Sequence, residues 1–163
     1  MTASRKSNII LGIDPGTDIT GYGLVGANES SPTLVEAGII RCGKGNLEDK
    51  LISLSKELKV IVSEFKPSRM AVEELYAHYK HPRTSIIMAH ARGVILLAAA
   101  QAGIDVYSYP STEIKKTITG NGRASKEKVR AMITHILNME TEPRYLDISD
   151  ALAVALTDFR HSE

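Results

Sequence analysis

The chain has 163 residues, of which 43% are hydrophobic and 24% charged, and its formal net charge is +1. This length most simply gives one domain with a proper core, and the composition is typical of a globular protein. The single cysteine, Cys42, excludes an internal disulfide framework and favours a reducing compartment such as the cytoplasm. No apolar run is expected to cross a bilayer, and any surface for nucleic acid must gather its basic groups on one face.

The first predicted strand begins at Ile9 and ends at Asp14, which Pro15 and Gly16 follow. Apolar side chains on both faces indicate a strand that is covered on both sides. A carboxylate at the tip of such a strand is costly to desolvate unless a cation or several donors face it, so Asp14 is a functional candidate. An ordinary surface acid in a turn explains the position equally well.

Two further strands are predicted over residues 19–27 and 33–42, with a polar turn at 28–32, and together they indicate an antiparallel meander. Gly21 and Gly23 weaken the second strand unless another segment passes close to its backbone. A helix with one buried stripe follows, because large apolar residues recur every three or four positions from Leu47 to Phe65.

A short strand is predicted from Arg69 to Leu75, and its arrival after a helix favours parallel pairing with an earlier strand. Its tip is then expected to lie near Asp14. Side chains alternate between the faces of a strand, so Glu73 and Glu74 cannot both point into one site. The spacing alone does not choose between them.

Aromatic and basic residues are concentrated in the predicted loop 76–85, which includes His78, Tyr79, Lys80 and Arg83. This mixture suits stacking on bases and contact with phosphates, although a solvated loop is the more common meaning of such a segment.

A nearly all-apolar helix is predicted over residues 86–103, so it is expected to be buried within the domain or against another chain. A last strand is predicted over residues 104–107.

Two short helices are predicted next, over residues 113–118 with Ser111 or Thr112 as the cap and over residues 126–137 with Ser125 as the cap. Lysines at the start of a helix oppose its dipole. A solvated face is the default interpretation, but the basic residues here also suit a patch for phosphates. They are Lys115, Lys116, Arg123, Lys126 and Lys128.

The last predicted helix, residues 147–159, carries Asp147 and Asp150 on one face, about a turn apart. Acids are common in a first helical turn because the helix dipole favours them. Asp158 is expected not to join this pair, because it lies roughly 16 Å further along the helix axis.

Taken together, the acids predict a metal site. A strand-end Asp, a strand-end Glu and an Asp-x-x-Asp helix supply four carboxylates, and no Ser/His or Cys/His pairing typical of a nucleophile accompanies them. Hard oxygen donors in this number suit magnesium or manganese, not zinc. Two such ions, roughly 3.5 to 4 Å apart, clamp the attacking and leaving oxygens of a phosphodiester.

Five segments, in this order, resemble the signatures of the RuvC Holliday junction resolvases, and the resemblance covers residues 8–156. The segments are GIDPGT at 12–17, TGYG at 20–23, AVE at 71–73, ARGV at 91–94 and DISDALA at 147–153. The resemblance implies an α/β, ribonuclease H-like fold with a mixed five-stranded sheet and helices on both faces. Residues 1–163 are then expected to form a single nuclease domain, with residues 1–7 as a flexible extension.

The activity that the resemblance implies is structure-selective cleavage of four-way DNA junctions by a homodimer, in recombination and repair. Each cut is a divalent-metal-dependent hydrolysis that leaves 5′-phosphate and 3′-hydroxyl ends. Two Mg²⁺ ions are expected in each active site, with Mn²⁺ as a substitute. Junction DNA is the expected partner, a branch-migration complex is a further candidate, and no membrane is expected.

The residue roles that the resemblance implies are specific. The catalytic and metal-binding acids map onto Asp14, Glu73, Asp147 and Asp150. This mapping selects Glu73 and not Glu74. Tyr76 takes the place of an aromatic residue near the junction crossover. Lys115 and Lys126 match basic residues near bound DNA, and the basic patch adds Arg123 and Lys128. The loop 78–85 departs from the usual family sequence, so its DNA contacts stay open.

Two other functions fit parts of the sequence. An actin-like or sugar-kinase ATPase also has an Asp-x-Gly-Thr loop after its first strand, but it needs a second similar lobe that 163 residues without a repeat do not supply. A junction-binding protein that has lost catalysis has no need of all four acids.

Overall fold

The computed structural model describes residues 8–27, 30–76 and 80–163. The strands in them are β1 (Ile9–Asp14), β2 (Ile19–Gly26), β3 (Thr33–Arg41), β4 (Arg69–Glu73) and β5 (Asp105–Tyr109). The helices are α1 (Leu47–Phe65), α2 (Pro82–Gln101), α3 (Ser111–Thr119), α4 (Lys126–Ile136) and α5 (Leu146–His161).

The five strands form one mixed sheet in the order β3-β2-β1-β4-β5. The first three strands are the predicted antiparallel meander, and β4 and β5 extend the sheet in parallel with β1. Ile13 pairs in register with Val72. The next residue on each strand is therefore a carboxylate, so the ends of β1 and β4 lie side by side as predicted.

Helices cover both faces of the sheet, because alternate side chains of each strand enter different cores. Ile10 and Val25 pack with helices α3, α4 and α5 on one face. Leu11 and Leu24, their neighbours in sequence, pack with α1 and α2 on the other face. The predicted arrangement of helices on both faces is confirmed.

Helix α5 lies directly on the backbone of β1 and β2, because these strands carry glycines beneath it. A Cβ atom at Gly12 would lie 2.0 Å from the carbonyl oxygen of Ala151, and one at Gly21 would lie 2.1 Å from that of Asp147. Gly23 faces Leu152 in the same way. The close approach that these glycines indicated in β2 is thus present, and it brings the first turn of α5 to the end of β1.

Two helix starts differ from the predictions. Helix α2 begins at Pro82, inside the predicted loop, because proline is preorganised for the first helical position. His78 and Tyr79 lie outside the described residues. The predicted side-chain caps of α3 were wrong, since Ser111 is already helical and Pro110 holds the cap position without a side-chain hydrogen bond.

The cap of α4 is the predicted one. Ser125 precedes the helix in an extended conformation, and its hydroxyl accepts a hydrogen bond of 3.2 Å from the backbone N–H of Lys128. This bond satisfies one of the otherwise unpaired donors of the first turn.

Helix α2 corrects a further expectation. By length and composition alone it could cross a membrane, with a mean hydropathy of 1.3 and only 22% of its most apolar window buried. The helix packs on α1 through residues such as Ala91 and Ile95. Its other side exposes Ile86 and Leu97, which are 60% and 57% exposed. This apolar face is uncovered in the single chain.

Replacing Gly12 by Ala tests the close approach of α5. The added methyl group meets a backbone carbonyl that cannot rotate away, so we expect the free energy of unfolding to fall by roughly 3 kcal/mol, the upper part of the range for overpacked sites. Gly93→Ala is the control, because nothing lies within 4 Å of that position in α2 and alanine favours a helix. Equal unfolding midpoints in urea for the two variants would contradict the described packing.

Candidate active site

A cleft of about 960 Å³ opens at the ends of β1 and β4, beside the first turn of α5. Four acids from these three elements line it: Asp14 from β1, Glu73 from β4, and Asp147 and Asp150 from α5. The structure thus brings together carboxylates that lie up to 136 positions apart in the sequence, from residue 14 to residue 150.

Each acid is positioned by regular backbone structure. Asp14 and Glu73 end adjacent parallel strands. The backbone N–H of Glu74 then donates a 2.9 Å hydrogen bond to the carbonyl of Tyr109, which holds the chain against β5 beyond the strand. Glu74 is exposed at the edge of the same cleft, whereas Glu73 is half-buried and its charge acts on Asp14.

Asp14 has the most perturbed carboxyl group of the cleft. Burial, followed by the charges of Asp150, Asp147 and Glu73, raises its pKa from 3.8 to about 8, and Lys126 opposes this effect. At neutral pH the Asp14 carboxyl therefore tends to hold a proton when no other cation balances the cluster. Perturbation by burial together with specific charge partners is typical of functional sites.

Lys126 is the cation closest to the acids. Its Nζ lies 3.3 Å from Oδ2 of Asp150, and this carboxylate is the main cause that raises the pKa of the lysine. Burial raises the pKa of Glu73 and of Asp150, while Lys126 and Lys115 lower both. Both lysines line a smaller cavity of about 90 Å³, together with these two acids.

Of the other residues predicted to contact DNA, one lies at the cleft and two lie outside both cavities. Tyr76 is 80% exposed and stands at the edge of the cleft. Arg123 and Lys128 are exposed and line neither of the two cavities. The sequence interpretation missed Arg92 as a site residue: it reaches the cleft from α2, and its Nη2 donates a 2.9 Å hydrogen bond to the hydroxyl of Ser108. Only its place in the ARGV segment drew attention to it.

Asp158 lies apart from the acid cluster, as predicted. It is fully buried on α5, and its Oδ1 accepts hydrogen bonds of 2.8 Å from Nη2 of Arg69 and 2.6 Å from the hydroxyl of Tyr109. A buried carboxylate needs such partners, so Asp158 has a structural role in joining α5 to β4 and β5.

The acids fit a divalent cation in chemistry and in charge. All four offer carboxylate oxygens, the donors that Mg²⁺ and Mn²⁺ prefer. The raised pKa of Asp14 reflects its burial and the negative charges of the other three acids, which Lys126 offsets in part. Among the described residues, no group of three or more His, Cys, Asp or Glu side chains is arranged to hold a metal ion.

A mixed five-stranded sheet with helices on both faces, and a cleft of four carboxylates at the ends of its central strands, define a ribonuclease H-like nuclease. Comparisons with known proteins agree with this class. A family model described as crossover junction endodeoxyribonuclease RuvC matches residues 10–158.

Relatives of this description match along most of the chain. The crossover junction endodeoxyribonuclease RuvC of Rhodopirellula baltica is 40% identical and aligns with 93% of this chain and 85% of its own length. The one of Moorella thermoacetica is 42% identical, with 91% and 89% covered. Thermus thermophilus RuvC, solved in complex with Holliday junction substrate, superimposes with a TM-score of 0.87 at 29% identity and covers 94% of each chain.

The chain belongs to the RuvC family of crossover junction endodeoxyribonucleases. Membership confirms the resemblance seen in the sequence and the ribonuclease H-like fold. It also makes the chain a nuclease that hydrolyses phosphodiester bonds and depends on a divalent metal.

The perturbed carboxyl group of Asp14 predicts how stability depends on pH in the metal-free protein. Between about pH 4 and pH 8 the folded state holds a proton on Asp14 that the unfolded chain has lost, so stability falls as pH rises through this window. Asp14→Asn removes this titration. The difference in melting temperature, variant minus original, should therefore grow from about pH 5 to about pH 8 in EDTA.

The control for this measurement is Asp105→Asn, which removes an exposed acid of β5. We expect its melting temperature to follow that of the unchanged protein at every pH. A difference for Asp14→Asn that stays constant across the range would contradict the assigned electrostatics.

Proposed function

We propose that the chain resolves four-way DNA junctions by paired hydrolytic cuts, each of which leaves a 5′-phosphate and a 3′-hydroxyl end. The observation that carries this proposal is the convergence of Asp14, Glu73, Asp147 and Asp150 on one cleft in a chain of the RuvC family. The substrate class follows from the relatives, one of which was solved with a Holliday junction. We propose that the reaction serves DNA recombination and repair in the cytoplasm. We assign the activity to a single nuclease domain.

The four acids are proposed to bind two Mg²⁺ ions, for which Mn²⁺ can substitute. Asp14 would take part in holding both ions, because the charges of Glu73, Asp147 and Asp150 all act on its carboxyl group. Burial and the repulsion from the other three acids raise the pKa of Asp14, and this supports the role, because a divalent cation relieves the repulsion. When bound, the ions activate the attacking water and stabilise the leaving 3′ oxygen.

The remaining residues of the cleft bind and orient the DNA. Lys126 leaves Asp150 when the acids take their cations, and its ammonium group is then available to the scissile phosphate. Lys115, in the adjoining small cavity, adds a second positive charge. Tyr76 presents an exposed aromatic ring at the cleft edge, where it can stack on a base near the crossover. Arg123 and Lys128 extend this basic surface along α4 and contact more distant phosphates.

The uncovered face of α2 is proposed to form a homodimer interface. Small residues Ala89, Gly93 and Ala100 are exposed together with Ile86 and Leu97, and they recur every three or four positions. Such a face allows two helices to pack closely. A symmetric partner also holds two active sites at a fixed separation, as paired cuts in opposed strands require. A branch-migration complex stays a prediction, since no feature of the described residues bears on it.

Asp14→Asn should abolish cutting of a synthetic four-way junction, because it removes a carboxylate that would hold the ions. Binding of the junction should change less than threefold, since contacts to phosphates supply most of the affinity. Cleavage is measured with Mg²⁺ titrated, beside a linear duplex of the same sequence, and binding is measured in EDTA.

Three outcomes of this experiment contradict the proposal. Cleavage by Asp14→Asn at the normal rate overturns the metal site. Binding of the junction by the unchanged protein without any Mg²⁺-dependent cutting favours a non-catalytic junction-binding protein. Equal cutting of the linear duplex overturns structure selectivity.

Leu97→Glu tests the dimer. A carboxylate in the centre of an apolar helix interface is left unpaired on association, so we expect the dimer dissociation constant to rise at least tenfold. Sedimentation equilibrium measures this constant, and Ile52→Glu, at a residue of α1 that is 53% exposed, is the matched control. A monomeric unchanged protein that makes paired cuts would rule out this interface.

A further inference from the structure

Two arginines surround the ring of Tyr145, just before α5. Nη2 of Arg41, the last residue of β3, donates a 2.7 Å hydrogen bond to the Tyr145 hydroxyl. The guanidinium carbons of Arg41 and Arg144 each lie 5.6 Å from the centroid of the ring. We refer to Arg41 and Arg144 as the arginine pair on Tyr145. Sequence reasoning did not indicate it, because Arg41 and Tyr145 are 104 residues apart.

The arginine pair on Tyr145 adjoins the cleft on the side opposite the lysines. Tyr145 is followed by Leu146 and Asp147, both of which line the cleft, and Arg41 pairs in register with Ile19, which lines it too. In the sheet, β3 lies on one side of β1 and β4 on the other. Lys126 approaches the acids beside Glu73 of β4. Positive charge therefore flanks the acids on both sides.

No carboxylate of the described residues neutralises the two arginines. Neither Arg41 nor Arg144 forms an ion pair within residues 8–27, 30–76 and 80–163, and both side chains are exposed. Asp18 is brought close to this region, since its carbonyl accepts a hydrogen bond from the N–H of Cys42, but its carboxylate pairs with Lys50. The positive charge of the arginine pair is thus left for a partner.

The chemistry of the group favours a phosphodiester. Guanidinium groups bind phosphate oxygens through parallel N–H donors, and the contact with Tyr145 preorganises one of them. Because the Tyr145 hydroxyl accepts from Arg41, its own proton is available for donation to an anion. The site therefore offers two positive charges and one hydroxyl donor to a phosphodiester, which carries a single negative charge.

The position identifies which phosphate this is. Tyr145 and Asp147 are separated by at most roughly 7 Å of chain, and the phosphates of one DNA strand repeat about every 3.4 Å along the helix axis. We propose that Arg41, Arg144 and Tyr145 bind a backbone phosphate of the cleaved strand, one or two nucleotides from the scissile bond on the β3 side. This inference rests on the proposed junction-cleaving function and adds residues to it.

The cleaved DNA strand is then bound on both sides of the acids. The lysines of α3 and α4 contact the strand on the β4 side, and the arginine pair contacts it on the β3 side. The scissile phosphate is thereby positioned between them, beside Asp14. Arg41, Arg144 and Tyr145 are thus positioning residues: they act on the geometry of attack and contact no reacting atom.

The test compares Arg41→Gln, Arg144→Gln and their combination with Lys56→Gln, which removes an exposed charge from α1. Binding of a synthetic four-way junction is measured in EDTA over a range of salt concentrations. We expect each arginine variant to weaken binding about three- to tenfold and to reduce the slope of log affinity against log salt by roughly one. Lys56→Gln should leave both unchanged.

A second measurement locates the contact. Single neutral methylphosphonates are placed at successive positions around the scissile bond, and one of them should weaken binding of the unchanged protein but not of the double arginine variant. Tyr145→Phe keeps both positive charges but removes the hydrogen bond that holds the Arg41 side chain. It should retain the salt slope while the cleavage rate at saturating junction falls about threefold or more.

The outcomes separate this inference from the proposed function. If the unchanged protein cuts junctions and the arginine variants bind like Lys56→Gln, the arginine pair has no role in DNA binding and the nuclease assignment stands. Methylphosphonate effects that are equal in the unchanged protein and in the double variant also overturn the inference. If the unchanged protein neither binds nor cuts junctions, both proposals fall.

Discussion

The direct contact between α5 and the bare backbone of β1 and β2 is the constraint on which the site depends. Gly12 and Gly21 leave no room for a side chain beneath the helix, so its first turn lies at the tip of β1. Asp147 and Asp150 reach Asp14 for this reason alone. A larger residue at either glycine would lift the helix and separate the acids that β1 and β4 present from those on α5.

This packing concentrates like charges at a cost to the fold. Burial raises the pKa of Asp14, and the charges of three neighbouring carboxylates add to this effect, so the pKa rises to about 8. Lys126 offsets only part of this repulsion. Such a concentration of like charges costs the folded protein stability, as is expected where charged groups are held together at a functional site.

The features of the fold that depend on local sequence pattern could be predicted from the sequence. The meander, the helix from Leu47 to Phe65 and the close approach over Gly21 all follow from periodicity or from glycine in a strand. The start of α2 was placed too late because Pro82 was included in a polar loop. That helix was also judged too short to cross a bilayer, whereas its 20 residues pass the test of length and composition. The contact of Arg41 with Tyr145 depends on tertiary packing, which no local pattern reports.

Helix α5 is also fixed at its far end. Asp158 is wholly enclosed and is bound by Arg69 and Tyr109, so the helix is tethered to the opposite half of the sheet. Any sliding of α5 along the sheet would expose an unpaired charge to an apolar interior, which is strongly disfavoured. The framework thus sets the spacing of the backbone positions that carry the four carboxylates.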